Sequence, residues 1–314
     1  MSDWGLKLQE TLNSMKVLQL GQAGQLAREL IVRAARDGVE LKSLSRDDVD
    51  LSRPEIVESI LLSEADFDVL VISAAYTAVD KAEEEEGLAH IVNGDSVAAA
   101  ARACARRKIP VIHISTDYVF DGQNPSPYTP DHPVSPVSAY GRSKLAGEKA
   151  LAEIQPKHVI IRTAWVYSPY GKNFVKTMLR VGAQHPELRV VDDQRGCPTA
   201  AGDLADAILS VAQRCVVDPT PMCWGVFHYG GKGVVSWCEF ARAIFEISQP
   251  KLQLLPSVVP ISTSEYPTPA KRPENSSLEC SKILDVYGIE TKSWREALGE
   301  TLAELARRES GELT

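Results

Sequence analysis

The sequence predicts an α/β protein: a doubly wound parallel sheet followed by a smaller C-terminal α/β lobe. Three observations predict this fold class. Short apolar runs alternate with helical patterns in units of about 30 residues, which is typical of parallel sheets with right-handed crossovers. The central runs are apolar enough to be buried on both faces. The length of 314 residues suits about two domains.

The elements of the first half follow one another as strand, helix, strand and helix. Leu26, Leu30, Ile31 and Ala34 lie at helical spacing and Gly38 is a suitable stop, which predicts the first helix. The predicted strands are 16–20, 40–44, 68–75, 110–115 and 159–163. The predicted helices are the turn and helix of 21–38, then 54–62, 91–108, 173–183 and 203–212.

The second half is less regular and contains a proline-rich stretch. Six prolines lie between residues 250 and 275, which excludes long helices and indicates loop-rich structure over a site. We expect an N-terminal extension at 1–14 and a first domain at 15–164. Residues 165–314 then form mainly a second, substrate-binding domain, with some segments returning to the first.

Composition and charge exclude several classes of protein. The formal net charge is −8, which makes the chain a poor general binder of nucleic acid. No apolar run approaches the roughly 18 residues of a membrane span, and the N-terminus does not resemble a signal peptide. The six cysteines contain no C-x-x-C pair and no zinc spacing, which predicts free thiols in a reducing cytoplasm and no structural metal.

A glycine loop follows the first predicted strand. Gly21 ends the strand, Gly24 opens the helix and Ala27 takes a third position where a small side chain suffices, which fits G-x-x-G-x-x-A. Glycine lets the backbone approach a pyrophosphate, and the helix N-terminus supplies N–H groups. The sequence therefore predicts a Rossmann-type, NAD(P)-binding domain, with Gly21, Gly24, Gln25 and Leu26 at the cofactor.

The end of the second strand bears on the choice of cofactor. Arg46 follows this strand and could pair with a 2′-phosphate, so NADPH is mildly favoured over NADH, and both stay open. Asp50 and Leu51 lie where the next loop could meet the adenine.

Thr116, Tyr140 and Lys144 form a predicted proton relay. Tyr140 and Lys144 are four residues apart and share one helix face, while Thr116 ends a central strand, where ligands bind in such sheets. A neighbouring ammonium favours the phenolate, which brings the pKa of Tyr140 nearer to the range needed for acid–base work. Thr116 could hold a substrate carbonyl.

At this point the chain resembles a known family. The stretches GQAGQLAREL, AAYTAVDKAEEE, STDYVFDG, YGRSKLAGE, RTAWVY, KNFVKTMLR, DDQRGCPT, SWCEFA and TSEYPTPAKRPENSSL look like those of the dTDP-4-dehydrorhamnose reductase family, within the extended short-chain dehydrogenases/reductases. They run from Met15 to beyond Leu278, so the resemblance covers nearly the whole chain.

The resemblance implies a reaction and a set of site residues. The enzyme would reduce the C4 ketone of dTDP-4-dehydro-L-rhamnose to dTDP-L-rhamnose. Tyr140 would be the general acid, Lys144 would lower its pKa and hold the ribose hydroxyls, and Thr116 would orient the ketone. Further residues at the cofactor would be Ala74, Ala75, Tyr76, Thr77 and Asn93. Further residues at the nucleotide sugar would be Asp117, Tyr118, Trp165, Asn173, Lys176, Gln194, Pro198, Thr199, Arg272 and Asn275.

Two other functions on the same fold stay open at this stage. The first is a different sugar-nucleotide enzyme, an epimerase or dehydratase; Asp117 resembles an acid placed for elimination, but Tyr118 stands where dehydratases usually carry Glu. The second is a non-catalytic regulatory subunit like that of methionine adenosyltransferase. Some relatives form homodimers bridged by Mg²⁺ through glutamates, and Glu29 could be such a ligand, although the sequence does not itself indicate a metal.

Overall fold

Twelve strands and ten helices make up the regular structure of the described residues, 15–248 and 255–310 of a computed structural model. The strands are β1 (Lys16–Leu20), β2 (Glu40–Leu44), β3 (Val69–Ile72), β4 (Val111–Thr116), β5 (His158–Thr163), β6 (Val166–Tyr167), β7 (Glu187–Val191), β8 (Arg195–Gly196), β9 (Thr199–Ala200), β10 (Gly225–His228), β11 (Val235–Ser236) and β12 (Ser257–Ile261). The helices are α1 (Gln25–Asp37), α2 (Pro54–Ser63), α3 (Glu86–His90), α4 (Ser96–Arg107), α5 (Ala139–Ile154), α6 (Phe174–Gly182), α7 (Ala201–Val217), α8 (Trp237–Ser248), α9 (Ser281–Tyr287) and α10 (Trp294–Glu309).

A six-stranded parallel sheet lies at the centre, in the order β2-β1-β3-β4-β5-β10. The chain runs from β1 to β2 on one side and then returns to place β3 on the other side of β1. This reversal is a topological switch point, and ligands of such sheets bind beyond the carboxyl ends of the strands there. The predicted α/β class with a doubly wound parallel sheet is confirmed.

Helices cover both faces of this sheet because its strands are apolar on both. Val17 and Val71 pack toward α1 and α7 on one face. Leu18, Leu70 and Ile72 pack toward α2 and α4 on the other. This alternation is what a parallel strand buried on two sides requires.

A smaller lobe is built from three two-stranded pairs and their own helices. The pairs are β6 with β9, β7 with β12, and β8 with β11. Val175, Phe240 and Leu298 from α6, α8 and α10 share its core. In contrast, α7 packs on the central sheet and β10 is an edge strand of that sheet, although both come late in the chain. The domain boundary near residue 164 stays a prediction.

The structure differs from the sequence-based expectations mainly at the ends of elements. The strand predicted at 68–75 is shorter, Val69–Ile72, because the chain turns at its end, where the N–H groups of Ser73 and Ala74 both bond to the Leu20 carbonyl. The helix predicted at 91–108 begins with a π-helical segment, Ile91–Asp95. The predicted extension at 1–14 lies outside the described residues. No helix in the described part of the chain combines the length and apolar character needed to cross a membrane.

Candidate active site

The loop between β1 and α1 leaves a helix N-terminus accessible. Gly21 has φ of 109°, in the left-handed region that favours glycine, and a Cβ there would press on Ala74 and Ser73. Gly24 precedes α1, is exposed, and a Cβ on it would meet nothing within 4 Å. Within the described ranges no side chain caps this helix, so its first N–H groups are available to an anion. The loop therefore fits a dinucleotide pyrophosphate.

The residues predicted to flank this loop have different environments. Gln25 accepts a hydrogen bond from Asn173 through its side-chain oxygen, at 2.9 Å. The Arg46 side chain is 83% exposed beyond β2, with the nearest Asp50 oxygen 3.8 Å away, so its guanidinium is accessible to a ribose phosphate. The Leu51 side chain packs in the core on one face of the sheet, and the adenine contact of this residue stays a prediction.

Asn93 holds the segment that follows β3. Its side-chain oxygen accepts the Tyr76 N–H at 2.8 Å, and its amide donates to the Tyr76 carbonyl and to the Ser143 hydroxyl. Asn93 is 1% exposed, and its two bonds to Tyr76 fix the backbone of the segment 74–77. Its place near the cofactor stays a prediction.

Thr116, Tyr140 and Tyr118 meet at the carboxyl end of β4. The Thr116 hydroxyl donates to Asp117 at 2.9 Å and accepts the N–H of Tyr118 at 3.2 Å. Ser138 caps α5, which places Tyr140 in its first turn. The Tyr140 ring meets the Tyr118 ring edge to face, with centroids 5.6 Å apart. A ketone oxygen placed here can contact a threonine hydroxyl and a tyrosine phenol together.

The pKa of Tyr140 departs from the sequence-based expectation. Burial and the nearby Asp117 carboxylate raise the pKa of this phenol, while hydrogen bonding with Thr116 opposes the rise. We expected Lys144 to lower it, but the Lys144 ammonium donates to the Ile114 carbonyl at 2.7 Å and contacts His113 at 3.2 Å. The phenol is therefore protonated at neutral pH, which is the state a general acid needs.

Burial also shifts the other two ionisable groups of this site. It lowers the pKa of Lys144 to about 8, against the opposing effect of Glu148. It raises the pKa of Asp117 to about 6. Among the described residues, one side-chain oxygen of Asp117 has no hydrogen-bond partner although the residue is only 3% exposed. This oxygen is an acceptor available to a polar ligand.

A cavity of about 500 Å³ lies beside Tyr118 and is lined by both parts of the molecule. It includes four residues predicted for the substrate: Tyr118, Trp165, Gln194 and Arg272. Sequence reasoning missed the twelve others that line it, among them Asp80, Arg189, Trp237, Tyr266, Thr268 and Ser276. Trp237 lies in the SWCEFA stretch, which was the one available signal for it.

The remaining substrate predictions fall outside this cavity. Asn173 caps α6 and, with Lys176, lines a neighbouring cavity of about 950 Å³. Pro198 and Thr199 are buried, and Thr199 donates its N–H to the Trp165 carbonyl. Asn275 donates its side-chain amide to the carbonyls of residues 124 and 126. These hydrogen bonds are made within the chain, and a part for these residues in substrate binding stays a prediction.

Arg272 joins the proline-rich stretch to the first half of the chain. Its guanidinium donates to Asp80 at 2.7 Å and to the Tyr118 hydroxyl at 3.0 Å. Asp80 also accepts the N–H of Ala270 at 3.2 Å. The cavity is therefore closed on one side by contacts between residues about 190 positions apart in sequence.

Comparisons with known proteins agree with this geometry. A family model described as the RmlD substrate binding domain matches residues 15–307. A dTDP-4-dehydrorhamnose reductase of Sinorhizobium fredii is 46% identical over 90% of this chain and 95% of its own length. The crystal structure of a dTDP-4-dehydrorhamnose reductase from Clostridium acetobutylicum has a TM-score of 0.86 at 38% identity, covering 93% of this chain and 100% of that one. One from Bacillus anthracis, solved with NADP, has a TM-score of 0.85 at 33% identity over 92% and 99%.

Proposed function

The chain belongs to the dTDP-4-dehydrorhamnose reductase family, and from that premise we propose that it reduces the C4 ketone of dTDP-4-dehydro-L-rhamnose to dTDP-L-rhamnose with NADPH. The observation that carries this proposal is the meeting of Thr116 and a protonated Tyr140 at the carboxyl edge of the sheet, beside Tyr118, which lines the cavity. An accessible Arg46 supports NADPH over NADH.

The residues of this chain have distinct parts in the proposed reaction. When bound, the reduced nicotinamide supplies the hydride that C4 accepts. Thr116 donates a hydrogen bond that orients the ketone oxygen, and Tyr140 gives this oxygen the proton that completes the alcohol. Lys144 lies on the same helix face as Tyr140; its ammonium donates to the Ile114 carbonyl in this structure, and it would hold the ribose hydroxyls when the cofactor is bound. The Gly21–Gly24 loop holds the pyrophosphate through backbone N–H groups.

The substrate meets local positive charge despite the acidic chain. Arg189 and Arg272 line the cavity, so they are the cations available there to the diphosphate of the sugar nucleotide. The unpartnered oxygen of Asp117 accepts a sugar hydroxyl. The net charge of −8 disfavours nucleic acid, and the binding of a small anion then depends on cations placed locally in the cavity.

An assay with purified protein tests this function. We expect the ketosugar nucleotide and NADPH to be consumed in equal amounts, with dTDP-L-rhamnose as the product, and slower turnover with NADH. An epimerase or dehydratase would recycle its cofactor and consume none. A regulatory subunit would show no turnover, and folded protein without NADPH consumption would exclude the reductase.

Compartment and assembly follow from the same chemistry. The cysteines of the described residues are all free thiols, which supports a reducing cytoplasm as the location. The homodimer implied by the resemblance stays a prediction, which light scattering of the purified protein tests. The described residues contain no cluster of three or more histidine, cysteine or carboxylate side chains suited to a metal.

A further inference from the structure

Trp165 has a strained backbone at the junction of the two parts of the molecule. Its φ is 50°, in the left-handed region that a bulky side chain rarely adopts. It lies between β5 of the central sheet and β6 of the smaller lobe. Strain of this kind persists only where surrounding contacts hold it, and it is concentrated at functional sites.

Two neighbours hold the Trp165 indole. Its ring stacks on that of Trp237, with centroids 3.4 Å apart and planes inclined by 7°. Gly196 also lies against the indole: a Cβ at this position would overlap Trp165 ring atoms. The absence of a side chain at Gly196 is therefore what lets the indole occupy this place.

Local structure places these two neighbours together. Gly196 in β8 is paired with Val235 in β11, and β11 leads directly into α8, where Trp237 is the first residue. Ser236 accepts the Glu239 N–H at 3.0 Å, and Glu239 accepts the Ser236 N–H at 2.7 Å. This capping box fixes the first turn of α8 and with it the direction of the Trp237 side chain.

Both indoles line the 500 Å³ cavity together with Tyr118, whose ring meets that of Tyr140. We propose that Trp237 and Gly196 are positioning residues, which hold Trp165 in its left-handed conformation so that its indole forms the wall against the pyranose ring of the sugar nucleotide. Trp237 covers one face of this indole and Gly196 the other, so the indole meets the cavity with its apolar edge. The inference rests on the proposed function, and it gives the SWCEFA stretch a part in substrate binding.

Four variants, at positions 237, 196 and 224, distinguish a positioning role for Trp237 and Gly196 from a role in the stability of the fold. We expect Trp237→Leu and Gly196→Ala to raise the KM for the ketosugar nucleotide by about tenfold or more, with kcat changed less and the Kd for NADPH unchanged. Trp237→Phe keeps an aromatic face behind Trp165 and should restore KM to within about threefold of wild type. Trp224→Leu removes a tryptophan that packs elsewhere, against the core of the central sheet, and should leave KM unchanged.

Circular dichroism reads the stack independently of activity. Two stacked indoles couple their electronic transitions, so we expect a couplet in the wild type and in Trp224→Leu, and its loss in Trp165→Phe, Trp237→Phe, Trp237→Leu and Gly196→Ala. Loss of the couplet with a wild-type KM in Gly196→Ala or Trp237→Leu would overturn the inference. If Trp237→Leu does not fold, Gly196→Ala and Trp237→Phe decide alone. A wild type with the couplet but no reduction of the ketosugar would reject the proposed function and leave the stack in place.

Discussion

Asp117 carries a charge in a place that disfavours it. Burial raises the pKa of this carboxyl from its ordinary 3.8 to about 6. Between these values the folded state binds more protons than the unfolded state, so stability falls as pH rises from about 4 to about 6. The rise corresponds to about 3 kcal/mol of stability lost above pH 6. Asp117→Asn should therefore raise the Tm relative to wild type by several degrees at neutral pH, and by little near pH 4.

Asp121 offers a control of opposite sign. Hydrogen bonds from the Gln123 N–H and the Tyr128 hydroxyl lower the pKa of this carboxyl, so its stabilisation is present above its unfolded pKa and is lost as pH falls. Asp121→Asn should lower the Tm at neutral pH. Thermal unfolding at several pH values measures both variants. Parallel curves for Asp117→Asn and wild type would contradict the buried charge.

Tyr140 is the residue on which the proton transfer depends. We expect Tyr140→Phe to lower kcat by about 10²–10⁴-fold, because the phenol is the general acid, while the Kd for NADPH changes little. Tyr118→Phe is a matched control, since this buried phenol contacts Arg272 and lines the cavity. Loss of the Tyr118 hydroxyl should alter KM more than kcat. Steady-state kinetics and fluorescence titration with NADPH separate the two variants; normal turnover by Tyr140→Phe would remove it as proton donor.

The sequence motifs identified polar residues that lie near the site, but they did not determine whether each residue binds a ligand or holds the chain. Thr116 and Tyr140 follow from a strand end and a helix spacing, and the structure brings them together. Asn93, Asn173 and Asn275 were predicted at the cofactor or the substrate, and in this structure their amides bond to backbone or side chains within the chain. Sequence alone cannot separate these cases, because an asparagine that binds a ligand and one that holds a loop have the same chemistry.

Helix α5 approaches its neighbours through two glycines. A Cβ on Gly141 would overlap the Tyr118 carbonyl, and one on Gly147 would overlap the Asn93 carbonyl. Gly147→Ala should therefore destabilise the protein by about 1–3 kcal/mol, because the overlap exceeds the gain in helix propensity. In Gly299→Ala of α10 the new methyl meets nothing within 4 Å, so this control should be neutral or gain up to about 1 kcal/mol. Urea unfolding measures both, and equal effects would contradict the close approach of α5.

Helices and strands could be predicted where residues near one another in sequence determine where the element begins and ends. Strands β1 and β2 match the predicted ranges because each ends where turn residues follow, at Gly21 and at Ser45. The π-helical segment Ile91–Asp95 was not predicted, since its cause is tertiary: Asn93 in this segment bonds to Tyr76 and Ser143. Contacts between residues far apart in sequence cannot be inferred from the periodicity of apolar residues.

At the scale of the molecule, the late return of the chain to the first sheet is the feature least visible in sequence. Strand β10, Gly225–His228, has four residues and pairs with β5 some 60 positions earlier. Such a short run resembles many loop segments, and only its pairing makes it a strand. The proline-rich stretch was more readable: its loops reach over the cavity through Tyr266 and Arg272.

The contact between Asp80 and Arg272 connects these loops to the cofactor side of the molecule. Asp80→Ala removes an ion pair and the acceptor of the Ala270 N–H, so residues 268–273 lose their attachment across the cavity. The pair is partly exposed and contributes up to about 1 kcal/mol, so we expect the KM for the sugar nucleotide to rise about two- to fivefold, with the Kd for NADPH unchanged. Glu86→Ala breaks a comparably exposed pair, with Arg142, whose partners both belong to the first half of the chain. It should leave KM unchanged. Of these two ion pairs, only that of Asp80 with Arg272 spans the cavity. If both variants changed KM equally, Asp80 would therefore act through the stability of the protein alone.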